Sequence, residues 1–62
     1  MKVRVKTDLF SVQGTVVKAG AVLRVHREYT VNGGRQRRVE LVDETGCFVM
    51  GSVDPEDLEV VE

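Results

Sequence analysis

The sequence has no tryptophan, one proline, one histidine and one cysteine. Cys47 has no second cysteine with which to form an internal disulfide, and Cys47 with His26 cannot complete a four-ligand zinc site. No apolar run approaches the roughly 18 residues of a membrane helix. The alternating residues 1–10 also lack the continuous apolar core of a signal peptide. We therefore expect a soluble, unprocessed, cytoplasmic protein that uses no metal and no cofactor.

The chain is also short, which limits both its core and its sites. Its 62 residues allow a single domain, residues 1–62. A chain of this size buries only about 60% of the surface that its unfolded form exposes, so its stability is marginal. Any binding site is therefore expected to be shallow, or shared between subunits.

Charge is distributed unevenly along the chain. All nine lysine and arginine residues lie at or before Arg38, and the residues after it carry only acidic charges. One interpretation is a basic face that binds nucleic acid. The other, which we favour for so small a protein, is that the two halves pair with each other across a sheet.

The first third of the chain predicts one strand and a long loop. Residues 2–6 alternate polar and apolar side chains, the period of a half-buried strand. Residues 7–20 hold two glycines and no clean periodicity, which indicates a folded-back loop with an extended piece near residues 15–18. Leu9, Phe10 and Val12 are expected to pack beneath this loop.

Residues 21–43 predict a long β-hairpin. Its apolar residues fall on odd positions in both arms, and a three-residue loop at residues 32–34 keeps them on one face, because a slip of one residue would invert every side chain. This register sets four pairs opposite one another: Val25 with Leu41, Arg27 with Val39, Glu28 with Arg38, and His26 with Glu40.

The last third predicts two more strands and one helical turn. A reversal at residues 43–46 leads into a strand over residues 47–53, with Phe48 opposite Leu41 and Met50 opposite Val39. Asp54 has the character of an N-cap and Pro55 of a first helical residue, which indicates a single 3₁₀ turn. Residues 58–61 return to alternation as a short final strand.

Five short strands, a long loop after the first, a three-strand meander and a helical turn before the last strand together resemble the SH3-like small barrel. The opening basic VxV strand and the closing D-x-x-x-L-E-x-V, residues 54–61, are similar to short bacterial barrels of this fold. The resemblance implies an all-β, five-stranded SH3-like barrel, and it implies no single function.

Three functional branches of that fold can be compared with the residues. Binding of proline-rich peptides and caging of methylated side chains both need several aromatic rings, and this chain has only Phe10, Tyr29 and Phe48. The pore-type oligomeric reductase uses a V-Q-I-Y stretch, where this chain reads FVMGS at residues 48–52. An enzyme of that type is therefore the third of the candidate functions, and we expect no enzymatic activity.

Two surfaces are candidates for binding. The first is the tip of the hairpin, where arginines could contact phosphates and a tyrosine could stack on a base: Arg27, Tyr29, Arg35, Arg37 and Arg38. The competing interpretation is structural, with Tyr29 and Arg37 as a cation–π pair and Arg38 held by Glu28.

The second candidate surface is apolar. The predicted register leaves Val42 opposite Cys47 on the side away from the core, with Val22 and Val49 nearby. Either the long loop covers this patch, or it binds a protein partner or a second copy of the chain. We therefore expect a non-enzymatic interaction or adaptor module with a protein partner or its own copy, and as the alternative a nucleic-acid-binding barrel that uses the basic tip.

Overall fold

The computed structural model describes residues 1–62 and contains seven β-strands and one 3₁₀ turn, Pro55–Asp57. Strands β6, β5, β4, β1 and β7 form a five-stranded antiparallel sheet in that order, and β2 pairs with β3 in a separate two-stranded sheet. No helix has the length and apolar character needed to cross a membrane. The strands are β1 Lys2–Val5, β2 Leu9–Phe10, β3 Val16–Val17, β4 Val22–Val31, β5 Gln36–Val42, β6 Phe48–Val53 and β7 Leu58–Val60.

The five-stranded sheet is open, with β6 and β7 as its two edges. The all-β class and the 3₁₀ turn are confirmed, but the sheet does not close into a barrel. β7 has only three residues, and the pairing of β6 with β5 shifts register twice. Short and bulged edge strands both restrict further pairing, which accounts for the two free edges.

The core lies on one face of the sheet and beneath the β2–β3 hairpin. Val3 and Val5 are both buried, as the alternation in β1 predicted. Leu9 is buried too, but Phe10 and Val12 are exposed, so the prediction that all three pack under the loop is wrong for two of them. The buried cluster comprises Val3, Val5, Leu9, Val17, Val39, Leu41, Met50 and Val53.

The β4–β5 hairpin contains a bulge that the sequence pattern did not predict. Val25 pairs with Leu41 as predicted, but the register then shifts between Val25 and Arg27, leaving His26 as the extra residue. The connecting loop spans residues 32–35, one residue longer than predicted, because Val31 pairs with Gln36. The extra residue in β4 is matched by the extra residue in the loop, so the two arms remain paired as far as Val31 and Gln36.

The bulge exchanges the two faces of the hairpin tip. Past it, Glu28 pairs with Val39 and Tyr29 with Arg38, so the predicted pairs of Arg27 with Val39 and Glu28 with Arg38 are wrong. Since a shift of one residue inverts the side chains, Tyr29 lies on the face opposite the buried Val39. Tyr29 and Arg38 are therefore not on the core face, whereas Arg37 lies on the same face as Val39, beside Glu28.

Strand β6 is also displaced from its predicted register. Val42 pairs with Phe48, Leu41 with Met50 and Val39 with Val53, with an irregularity between each pair. The predicted pairing of Phe48 with Leu41 is therefore wrong. Met50 takes the core position, and the ring of Phe48 remains largely exposed.

The turn between β5 and β6 is organised by the carboxylate of Asp43. Its Oδ1 accepts hydrogen bonds from the Thr45 backbone N–H (2.8 Å), the Thr45 hydroxyl (2.6 Å) and the Cys47 backbone N–H (3.0 Å). These bonds favour the ionised carboxylate, with the Thr45 hydroxyl the strongest influence, and they lower the pKa of Asp43 below its usual 3.8. Ionised Asp43 therefore stabilises the folded chain.

This pKa shift predicts a pH dependence of folding. The contribution of Asp43 is fully present above its unfolded pKa of about 3.8, and it is lost as the pH falls through the lower folded value. Asp43→Asn keeps an oxygen acceptor but cannot titrate. In urea denaturation at a series of pH values below about 5, the wild type should lose stability more steeply than Asp43→Asn, whereas Glu44→Gln, an exposed neighbour, should follow the wild type. Parallel curves for all three proteins would contradict the prediction.

Candidate interaction surfaces

An apolar groove lies between the tip of the β2–β3 hairpin and edge strand β6. Its volume is about 430 Å³, within the range of about 300–1,000 Å³ typical of ligand sites. None of the residues that line it is charged, and these residues are Phe10, Ser11, Val12, Gln13, Phe48, Val49, Met50, Gly51 and Ser52. We refer to this set as the apolar groove.

Local structure holds the exposed side chains of one wall in place. Leu9 and Phe10 are successive residues of β2, so the burial of Leu9 sends Phe10 outward, where it is 72% exposed. The hydroxyl of Ser11 accepts hydrogen bonds from the Gln13 N–H (3.2 Å) and the Thr15 N–H (3.0 Å). These bonds tighten the turn and leave Val12 fully exposed.

The opposite wall is the bulged strand β6. Phe48 is 61% exposed, and its ring lies 3.6 Å from the position that a Cβ would occupy on Gly51. The ring therefore lies against the strand at Gly51 and lines the groove. Three large apolar side chains of this small protein, Phe10, Val12 and Phe48, are thus exposed around one concave surface.

Tyr29, a residue of β4, holds Ser52 in place at one end of the groove. Its hydroxyl lies 2.9 Å from the Ser52 hydroxyl and accepts a hydrogen bond from the Ser52 backbone N–H at 3.1 Å. Ser52 has a φ of 57°, which is uncommon for a residue other than glycine. The tyrosine therefore stabilises an irregular backbone conformation in the groove wall, and its ring is packed by Arg27, whose guanidinium carbon lies 4.8 Å from the ring centroid.

Arg35, Arg37 and Arg38 lie together around one depression at the hairpin tip, and most of the predicted basic residues have an acidic partner. Arg27 lies 3.5 Å from Glu40, and Arg37 lies 3.5 Å from Glu28. Arg38 lies 3.9 Å from Asp54, which corrects the expected pairing of Arg38 with Glu28. The cation–π partner of Tyr29 is Arg27 and not the predicted Arg37. Arg35 is the one arginine of this set without an ion pair.

The same pairing of early basic with late acidic residues extends along the rest of the sheet. Arg4 binds Glu59 across β1 and β7, with a distance of 2.9 Å, and Lys2 lies 3.6 Å from Glu62. The predicted contact of His26 with Glu40 is present at 3.9 Å, although the two residues are not directly paired. Each of these exposed pairs contributes at most about 1 kcal/mol. Together they account for much of the charge asymmetry without a binding partner.

The predicted apolar patch is divided by the structure. Val22 and Cys47 are exposed, but Val42 is buried and pairs with Phe48 instead of Cys47. Val49 is half-buried, packs against the core and lines the apolar groove. The patch of Val22, Val42, Cys47 and Val49 is thus not one continuous exposed surface, and the larger apolar surface lies at the groove.

Sequence reasoning did not identify Phe10, Val12 and Phe48 as surface residues. For Phe10 a signal was present, because the alternation of a short strand sends one of two neighbouring residues outward. For Phe48 there was none, since its orientation depends on the bulges in β6. No group of three or more His, Cys, Asp or Glu side chains is placed to hold a metal ion.

Comparisons of the chain with protein-family models, with curated protein sequences and with solved structures give no match.

Proposed function

We propose that this chain is a small non-enzymatic interaction module that binds an uncharged, apolar protein surface at the apolar groove. The observation that carries the proposal is the exposure of Phe10, Val12 and Phe48 around a concave surface that has no charged residue. Exposed apolar surface of this kind is the usual mark of a protein-binding site. Its uncharged lining favours apolar side chains over phosphates or acidic peptides.

We further propose that the module belongs to the SH3-like class, with an open sheet in place of a closed barrel. Support comes from the order of its elements: a hairpin loop after β1, the meander of β4, β5 and β6, the 3₁₀ turn, and a last strand that pairs with the first. The groove is lined in part by the loop after β1. Function in such folds is set by the site and not by the architecture. The cytoplasmic setting stays a prediction.

The alternative function, binding of nucleic acid at the hairpin tip, has one observation in its favour. Arg35 has no acidic partner, and it borders a polar depression of about 320 Å³ together with Arg37 and Arg38. Asp54 and Glu56 line the same depression, and their negative charge opposes the approach of phosphates. The groove is therefore the stronger candidate.

Chemical-shift mapping of the labelled protein at low concentration separates the two functions in one sample. Short, uncharged, apolar peptides should shift the amide signals of residues 10–13 and 48–52. Acidic peptides and single-stranded oligonucleotides should leave these signals unchanged. Phe48→Ser should abolish the peptide-induced shifts, whereas Arg35→Ala should not affect them.

Two outcomes would overturn the proposal. One is the absence of groove shifts with every peptide of an apolar panel. The other is a response confined to residues 35–38 on addition of an oligonucleotide, removed by Arg35→Ala and reduced by salt, which would instead establish the alternative function.

A further inference from the structure

We infer that the partner of the apolar groove is a second copy of this chain, whose own groove faces it across the axis of a two-fold symmetric dimer. This inference rests on the proposed function and names its partner. It follows from the small size of the core, from the lack of other stabilising devices, and from the chemistry of the groove itself.

The core is small, so the exposure of large apolar side chains to water weighs against the stability of a monomer. Only nine of 62 residues are buried, while Phe10, Val12 and Phe48 are all exposed. Natural chains of this size commonly add disulfides, a structural metal or oligomerisation to a single core. The one cysteine and the absence of a metal-binding cluster leave oligomerisation as the available device.

The groove is suited to contact with its own copy. In a two-fold interface the same patch meets itself, so every charge in the patch would face a like charge close to the axis. The groove has no charged residue, and self-contact there opposes no like charges.

The contact is made by side chains and not by a shared sheet. β6 is an edge strand, but its two register shifts interrupt the regular spacing of backbone groups that an added strand would need. The dimer instead forms through side chains of the groove. In it, Phe10, Val12 and Phe48 of one copy pack against the same three residues of the other.

Sedimentation velocity over a dilution series tests the inference. At high concentration we expect a species of twice the 6.9 kDa chain mass. Phe48→Ser and Val12→Ser should each raise the dimer dissociation constant by about 10- to 100-fold. Val22→Ser removes an exposed valine outside the groove, and it should change the constant by about twofold or less. Val12 is fully exposed, so its substitution cannot disturb the core.

A second measurement shows which residues meet. In a mixture of labelled and unlabelled protein, intermolecular nuclear Overhauser contacts should join the Phe10 and Phe48 rings of different copies. A monomer at the highest concentration would overturn the dimer, as would a dimer weakened by Val22→Ser and not by the two groove variants. A monomer whose groove signals still respond to apolar peptides would reject this inference and leave the proposed function in place.

Discussion

Replacing Leu41 with alanine is expected to lower the free energy of unfolding by about 2–5 kcal/mol. Leu41 is completely buried and lies near the C-terminal end of β5, where it pairs with Val25 on one side and Met50 on the other. Truncation leaves a cavity that the two neighbouring strands cannot fill without moving. A chain of this length has a total stability of only about 3–9 kcal/mol, so the variant should lose a large fraction of its stability.

Urea denaturation followed by circular dichroism measures this loss, since the chain has no tryptophan to report by fluorescence. The matched control is Val22→Ala, which removes apolar atoms from an exposed side chain outside the apolar groove and should change stability by about 0.5 kcal/mol or less. Equal losses in the two variants would show that Leu41 is not at the centre of the core.

Replacing Gly20 with alanine is expected to destabilise the fold by about 1–3 kcal/mol. Gly20 has a φ of 95°, and its N–H donates to the Val5 carbonyl at 2.8 Å, directly beside the bond from the Val5 N–H to the Ala21 carbonyl. A side chain there meets no neighbouring atom. The loss of stability therefore comes from the backbone conformation alone. A change of φ that relieved this strain would break the hydrogen bond between Gly20 and Val5, which joins the loop to β1.

Gly51→Ala is the control for this experiment. Gly51 has no positive φ, and an added Cβ would make ordinary van der Waals contact with the Phe48 ring at 3.6 Å. Because alanine also restricts the unfolded chain, this variant should be neutral or slightly more stable. If both variants lost stability to the same extent, a packing effect would explain the result and the backbone argument for Gly20 would fail.

The sequence pattern predicts the parts of this fold that depend on period and on local turn chemistry. Val3 and Val5 alternate into the core, and Asp54 accepts the Glu56 N–H at 2.9 Å ahead of Pro55, as an N-cap should. The base of the hairpin is likewise correct at Val25 and Leu41. The first two features are determined by residues only a few positions apart, and the third by the apolar parity of the two arms.

The strand registers that the sequence pattern could not predict depend on bulges. A bulge at His26 and two in the pairing of β6 change which face a side chain occupies, and nothing in the local composition marks them. Parity arguments assume an unbroken ladder, so one extra residue misplaces every side chain beyond it. For that reason the sequence pattern places Tyr29 opposite Arg37 and Phe48 opposite Leu41, and it does not predict the apolar groove.

The position of β1 in the sheet has a consequence for how fast the chain folds. β1 lies between β4 and β7, and its Val3 pairs with Leu23 on one side and with Val60 on the other. The second pairing joins residues separated by almost the whole chain, whereas β4, β5 and β6 follow one another directly. Non-local pairing of this kind costs loop-closure entropy before any contact is gained, and folding slows accordingly. We therefore expect the β4–β6 meander to form first and the docking of β7 on β1 to limit the folding rate.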